Sequence, residues 1–192
     1  MQTALSNILI RPSTDEDIPA MLAIYRHHIQ KGVGDLGTYE SQTLGAEDLK
    51  QRRKSMRKHR LPHLVAEADG VVAGYAYAVP FRKRPAYRYT LKHSIYVREE
   101  FQRSGIGSRL LPALIDACTR AGYLQMIGYI DSTNQASLRL HEACGFQRVG
   151  LLKSVGFKFG RWTDSVLVQR PLGQGSASIP GPWPKMEPPD LP

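Results

Sequence analysis

The chain has 192 residues, 42% of them hydrophobic and 22% charged, which is enough to bury a core without metal or disulfide staples. It carries 26 Lys+Arg against 17 Asp+Glu, a net charge of +9. Its two cysteines, Cys118 and Cys144, exclude a disulfide scaffold and fit a reducing compartment, and no apolar run approaches the roughly 18 residues of a membrane helix. No basic stretch followed by an apolar one opens the chain, so no leader is read and a cytoplasmic setting is expected.

Ile8, Leu9 and Ile10 predict a short strand stopped by Pro12. Thr14, with Asp17 three residues on, is placed to cap a helix whose apolar face is Ile18, Met21, Leu22, Tyr25 and Ile29. Gly32, Gly34 and Gly37 end that helix. A second helix follows, with Leu49, Arg53 and Met56 at helical spacing and Glu47 and Asp48 near its positive end. It carries a basic run of Lys50, Arg52, Arg53, Lys54, Arg57, Lys58 and Arg60. The run lacks interleaved aromatics and matches no nucleic-acid motif, so a solvated face is expected and nucleic acid is not an expected partner.

Leu64, Val65 and Ala66 and the apolar residues 71–77 flank Asp69-Gly70, a hairpin signal. A second basic cluster of Arg82, Lys83, Arg84, Arg88 and Lys92 is interleaved with Phe81, Tyr87 and Tyr89, which suits a loop clamping a small anion. Residues 94–97 predict a strand, and Ile106, Leu110, Leu114 and Cys118 mark one face of a helix ending at Gly122. A strand at 126–130, a short helix at 135–144 closed by Gly145, and final strands at 146–152 and 165–168 complete an α/β domain over residues 1–172. Residues 173–192 contain Pro180, Pro182, Pro184, Pro188, Pro189 and Pro192 with few apolar anchors, and are expected to form a tail outside the domain.

The chemistry concentrates after the strand at 94–97, in Gln102, Arg103, Ser104, Gly105, Ile106, Gly107 and Ser108. This is a strand, a short basic loop with two glycines, and a helix. The first N–H groups of a helix are unpaired and partly positive, glycine lets a phosphate approach the backbone, and Arg103 adds a full charge. The segment is built like a pyrophosphate cradle. It lacks the G-x-x-x-x-G-K-[ST] of a triphosphate loop, and Leu110 stands where a dinucleotide fingerprint needs its third glycine. On the glycines alone, a tight strand-to-helix turn is an equally good reading.

Gln102-x-x-Gly105-x-Gly107 resembles the acetyl-CoA loop of the Gcn5-related N-acetyltransferase (GNAT) superfamily, and Asn134-x-x-Ser137-x-x-x-His141-Glu142-x-x-Gly145-Phe146 resembles its second cofactor segment. A closer resemblance, over residues 8–172, is to the phosphinothricin and methionine sulfone or sulfoximine N-acetyltransferase branch. It rests on Leu64-Val65-Ala66-Glu67, Gly74-Tyr75-Ala76-Tyr77-Ala78, Arg84-x-Ala86-Tyr87, Tyr96-Val97, Leu140-His141-Glu142 and Gly156-x-Lys158-x-Gly160-x-Trp162-x-Asp164. The resemblance implies a central mixed, mostly antiparallel sheet with splayed strands flanked by helices. It also implies acetyl-CoA as co-substrate, direct transfer to the α-amino group of a small acceptor, and a homodimer.

Direct transfer needs a neutral amine, a polarised thioester carbonyl, a stabilised leaving thiolate and a fixed orientation. By resemblance, backbone groups of Ile95, Tyr96 and Val97 meet the thioester and pantetheine. Residues 102–108 hold the pyrophosphate, and Asn134 and Ser137 flank the pantetheine arm. Arg82, Arg84 and Tyr87 match the acceptor's anion-binding loop, where guanidinium forks suit carboxylate and related oxygens. His141 matches a histidine of the catalytic network, able to move a proton near neutrality.

One position departs. The branch reads Thr-Val-Glu before its cofactor strand, the glutamate being the expected general base, whereas this chain reads Thr90-Leu91-Lys92-His93-Ser94. Strand alternation puts Lys92 on the face of Ser94 and Tyr96 and His93 on the other, so His93 is not a simple replacement. Three readings follow. Lys92 is a further cationic clamp, with His141 and water deprotonating the amine. Or Lys92, its pKa depressed by Arg82 and Arg84, is itself the base. Or the chain is a non-catalytic or weakly active acyl-CoA-binding protein. The first needs no compensating rearrangement and is preferred.

Overall fold

The hairpin expected at Asp69-Gly70 forms, with φ of 48° and 82° at its two residues, and joins β2 (His63–Ala68) to β3 (Val71–Pro80). In this computed structural model, which describes residues 7–30, 45–59, 61–177 and 179–180, that hairpin lies in a seven-stranded sheet. The other strands are β1 (Ile8–Pro12), β4 (Thr90–Val97), β5 (Gln125–Asp131), β6 (Gln147–Lys158) and β7 (Arg161–Pro171). Their order is β1-β2-β3-β4-β5-β7-β6. Only β4 and β5 run parallel, so the sheet is mixed and mostly antiparallel, as expected.

Alternation along the strands sends successive side chains to opposite faces, and each face has its own core. Val65, Tyr75 and Tyr96 pack with Met21, Ile24 and Tyr25 of α1 (Ile18–Gln30). Ala66, Ala76, Leu91, Met126 and Val168 pack with Leu110, Leu111, Leu114 and Cys118 of α3 (Ile106–Arg120). The edge of the first layer is stapled by Arg11, whose guanidinium bonds both Asp17 oxygens at 2.8 Å and lies 2.9 Å from Glu67. Asp17 also accepts the Thr14 N–H at 2.7 Å, which fixes the entry to α1. Burial works to raise this carboxyl, but the Arg11 and Thr14 hydrogen bonds outweigh it and hold Asp17 below the usual carboxylate range.

α2 (Ala46–Lys58) buries Leu49 and Met56. Its basic run divides by role: Arg53 donates to the Ser13 carbonyl at 2.7 Å and pairs with Asp15, while Arg52 turns toward the cleft described below. The glycines at 32, 34 and 37 and the end of the chain from 181 on lie outside the described residues. The first residues beyond 172 form a turn, with Gly175 buried and its N–H donating to the Leu172 carbonyl at 2.9 Å.

The last two strands are longer than the pattern predicts. β6 and β7 continue through residues 153–164 as an extended hairpin turned at Phe159 and Gly160, which have φ of 48° and 73°. Two register shifts, at Arg148/Gly150 and Leu152/Gly156, interrupt the period of two.

Candidate active site

Pairing of β4 with β5 runs only from Thr90↔Gln125 to Lys92↔Ile127. Beyond it the strands diverge. The Arg98 N–H donates to Ala73 on β3 at 2.8 Å, so by alternation Ile95 and Val97 turn their backbone groups away from β3 and into the opening. His28, near the end of α1, reaches the Val97 carbonyl with Nε2 at 2.8 Å. The wedge opens into a cleft of about 1760 Å³.

One end of the cleft is the start of α3. Gly105 caps that helix at φ 87° and Arg103 sits at φ 61°, so the loop turns through two left-handed residues. A Cβ on Gly107 would lie 3.0 Å from Leu140, so this glycine lets α3 approach α4 (Gln135–Ala143) closely. Gln102, Arg103, Gly105, Gly107 and Ser108 line the cleft. Ser104 and Ile106 do not. Ile106 is in the core, and the Ser104 hydroxyl donates to the Phe101 carbonyl.

Asn134 and Ser137 line the cleft as well. The Asn134 side-chain oxygen accepts the Ser137 N–H at 3.1 Å, capping α4 and leaving its amide N–H₂ for other partners. One turn on, His141 is buried against His93, with 2.9 Å between their Nε2 atoms. Nδ1 of His141 lies 2.7 Å from the Ser137 carbonyl oxygen and Nδ1 of His93 3.0 Å from that of Ile127. Burial lowers the pKa of both rings, and for His93 the charge of His141 adds to it. The alternation expected for β4 holds, since Lys92 is exposed in the cleft while His93 is buried on the α4 side.

The acceptor-side expectations divide. Arg82, Arg84 and Tyr87 are not among the cleft-lining residues. The Arg82 guanidinium stacks over Phe81 and Tyr87, at 5.2 and 5.3 Å from the ring centroids. Arg84 is exposed, before the short turn Pro85–Tyr87. Among the described residues, the lysines and arginines that do face the cleft are Lys83, Lys92, Arg103 and, from α2, Arg52. Sequence reasoning missed Arg52 because helical spacing alone does not say which sector of a basic helix meets a cleft. It missed the partnership of His93 because His141 lies 48 residues away.

A sequence profile of the Acetyltransferase (GNAT) family matches residues 23–146. The chain belongs to that family. It is 45% identical over 172 residues to a phosphinothricin N-acetyltransferase of Alcaligenes faecalis, covering 89% of this chain and 86% of the relative. It is 34% identical to an L-methionine sulfoximine/L-methionine sulfone acetyltransferase of Salmonella typhimurium, covering 88% and 96%. A crystal structure of a GNAT superfamily phosphinothricin acetyltransferase from Sinorhizobium meliloti in complex with acetyl-CoA superimposes with a TM-score of 0.86 at 37% identity, over 96% of this chain and 97% of that one. This GNAT chain is therefore an N-acetyltransferase that uses acetyl-CoA as co-substrate. The comparisons lend no support to the non-catalytic reading. Among the described residues, no helix is long and apolar enough to cross a membrane.

Proposed function

We propose that the protein acetylates the α-amino group of a small amino-acid-like acceptor of the phosphinothricin, methionine sulfone or methionine sulfoximine type. The observation that carries this reading is the wedge between β4 and β5, which has a helix start at one end and His141 and Lys92 beside it. The names of the relatives supply the acceptor class.

In this reading Gln102, Arg103, Gly105, Gly107 and Ser108, with the backbone N–H groups of Ser104 and Ile106, hold the pyrophosphate of acetyl-CoA. Backbone groups of Ile95 and Val97 meet the pantetheine amides and thioester, Tyr96 packs beneath them, and the Asn134 amide and Ser137 steady the arm. A thioester carbonyl held by backbone N–H groups is polarised as it becomes an oxyanion. Lys92 clamps the acceptor's acidic end together with Lys83 and Arg52, and His141 handles the proton of the acceptor ammonium. Arg82 and Tyr87 support this side as a stacked loop that carries the exposed Arg84 and whose Lys83 faces the cleft.

The domain is taken to be residues 1–172 with a separate tail over 173–192. The working unit is taken to be a homodimer, since β6 is an edge strand with exposed Val149, Leu151, Val155 and Phe157. The cytoplasm is its setting, in keeping with the free thiols Cys118 and Cys144.

The test is thiol release from acetyl-CoA across a panel of amino acids and their sulfone, sulfoximine and phosphinate analogues. Acceptor-dependent release with the analogues is expected. Release that ignores the acceptor, or none with any α-amino compound, would overturn the reading.

A further inference from the structure

His93 and His141 meet in a contact that two neutral histidines cannot satisfy. Nδ1 of His93 faces the Ile127 carbonyl at 3.0 Å and Nδ1 of His141 faces the Ser137 carbonyl at 2.7 Å. A carbonyl oxygen only accepts, so each Nδ1 carries the hydrogen. A neutral imidazole has one N–H, which leaves both Nε2 atoms bare, and these face each other at 2.9 Å. The contact becomes a hydrogen bond only when a third proton enters it. Two rings with three protons share one positive charge.

The surroundings resist that charge without forbidding it. His93 is 7% exposed and His141 2%, and the Phe146 ring lies 5.1 Å from each imidazole. β5 presents the Ile127 carbonyl and Gly128, where a Cβ would come within 3.0 Å of His93 and 2.9 Å of Val168 on β7. α4 presents the Ser137 carbonyl and hydroxyl, the latter 3.4 Å from His141 Nδ1. No carboxylate bonds to either ring among the described residues. Glu142 of α4 pairs with Arg148 at the surface, and Lys92 is on the other face of β4. The empty pair holds two opposed lone pairs, and the filled pair holds a buried charge. A pair with a drawback in each state can take up and release a proton, as a transient holder must.

We propose that His93 completes a two-histidine proton holder with His141, which takes one proton from the acceptor ammonium into the Nε2–Nε2 contact before attack. The inference rests on the N-acetyltransferase reading above. A water at the edge of the contact carries the proton, leaving the free amine. The amine lone pair forms the C–N bond at the thioester carbon, the C–S bond breaks with its electron pair on sulfur, and the second nitrogen proton neutralises the thiolate. The pair returns its proton to solvent as products leave, so one proton is released per acetyl transferred. His141 is the ring that works on the acceptor, and His93 acts through it as a positioning residue. The arrangement supplies the base function that the carboxylate missing at Lys92 would otherwise give.

The test is thiol release against pH, with methionine sulfone as acceptor, in the wild type, His93→Gln, His141→Gln and the double variant. Expected for His93→Gln is a kcat lower by roughly 100-fold, with acceptor KM and acetyl-CoA affinity nearly unchanged and a displaced acid limb of the kcat profile. The double variant is expected to be no slower than His141→Gln, because the rings act as one unit. An acid limb that stays in place, or two losses that multiply in the double variant, would overturn the proposal. If the wild type is active and His93→Gln equally so, this inference fails alone; a wild type inactive with methionine sulfone removes the acceptor class proposed above with it. Nitrogen-15 NMR of the wild-type imidazoles does not depend on the variants folding. It should show three N–H groups over these two rings within part of a titration from about pH 9 to 5; two N–H groups throughout would overturn the proposal.

Discussion

Lys92 stands where the resembled branch places a carboxylate, and its surroundings argue for a clamp. It is exposed in the cleft beside Ser94 and Tyr96, and shares that space with Lys83 and Arg52. A cation among cations attracts acceptor carboxylate, sulfone or phosphinate oxygens, and such binding is much the same in ground and transition states. Removing it therefore belongs in KM rather than kcat. Lys92→Gln keeps most of the reach without the charge. Acceptor KM should rise roughly tenfold, equivalent to about 1.4 kcal/mol, with kcat nearly constant in steady-state thiol release. A collapse of kcat at unchanged KM would move Lys92 into the proton-transfer chemistry.

The β6–β7 hairpin sets the question of assembly. Among the described residues β6 pairs with β7 alone, and it runs 12 residues along the edge of the sheet. Val149, Leu151, Val155, Phe157, Phe159 and Trp162 are exposed on the hairpin, with the Phe157 and Trp162 rings packed edge to face at 5.2 Å. An apolar edge of that length invites a second strand or surface, and a second copy of the chain is the partner always present. Sedimentation should give a dimer, and Phe157→Asp combined with Trp162→Asp should shift it to monomer with the circular dichroism of the fold retained. A monomeric wild type would remove the assembly. The same hairpin shows where sequence reading stops. Elements bounded by strong local signals, such as Asp69-Gly70, Gly122 and Gly145, were legible because the turn chemistry is written in the residues at the turn. The far half of this hairpin was not, because the register shifts around Gly150 and Gly156 and a left-handed Ser154 at φ 47° scramble the alternation. Of the site, the helix-start loop and the faces of Lys92 and His93 were legible from spacing. The ring opposite His93 and the cleft-facing Arg52 depend on packing between elements far apart in sequence.

Across the whole molecule the sheet separates two kinds of surroundings, with α3 and α4 over the loop and the histidine pair and α1 and α2 over a stack of aromatics. In that stack His63 lies parallel to Tyr77 at 5.5 Å and Tyr75 at 6.0 Å, and Tyr75 lies on Tyr96 at 5.0 Å. His63 Nδ1 is buried without a hydrogen-bond partner among the described residues. Burial, with the Arg53 charge adding to it and Asp17 opposing, lowers its pKa to about 4. A histidine held below its ordinary value is neutral in the fold but takes a proton near pH 6.5 once the chain unfolds. The unfolded state therefore binds more protons between about pH 6.5 and 4, and stability falls as the pH drops through that window. Below the folded pKa both states are protonated and the loss levels off. At about 1.4 kcal/mol per unit, the full span from 6.5 to about 4 is worth roughly 3 kcal/mol. His63→Phe keeps a ring in the stack and removes the titration. Urea unfolding at pH 7.5 and 5 should show a smaller acid loss in the variant than in the wild type, by roughly 2 kcal/mol, with comparable stability at the higher pH. Part of the acid loss should survive, because His93 and His141 are also lowered by burial and bind protons more readily in the unfolded chain. Equal acid losses in the two proteins would mean that His63 does not couple folding to pH.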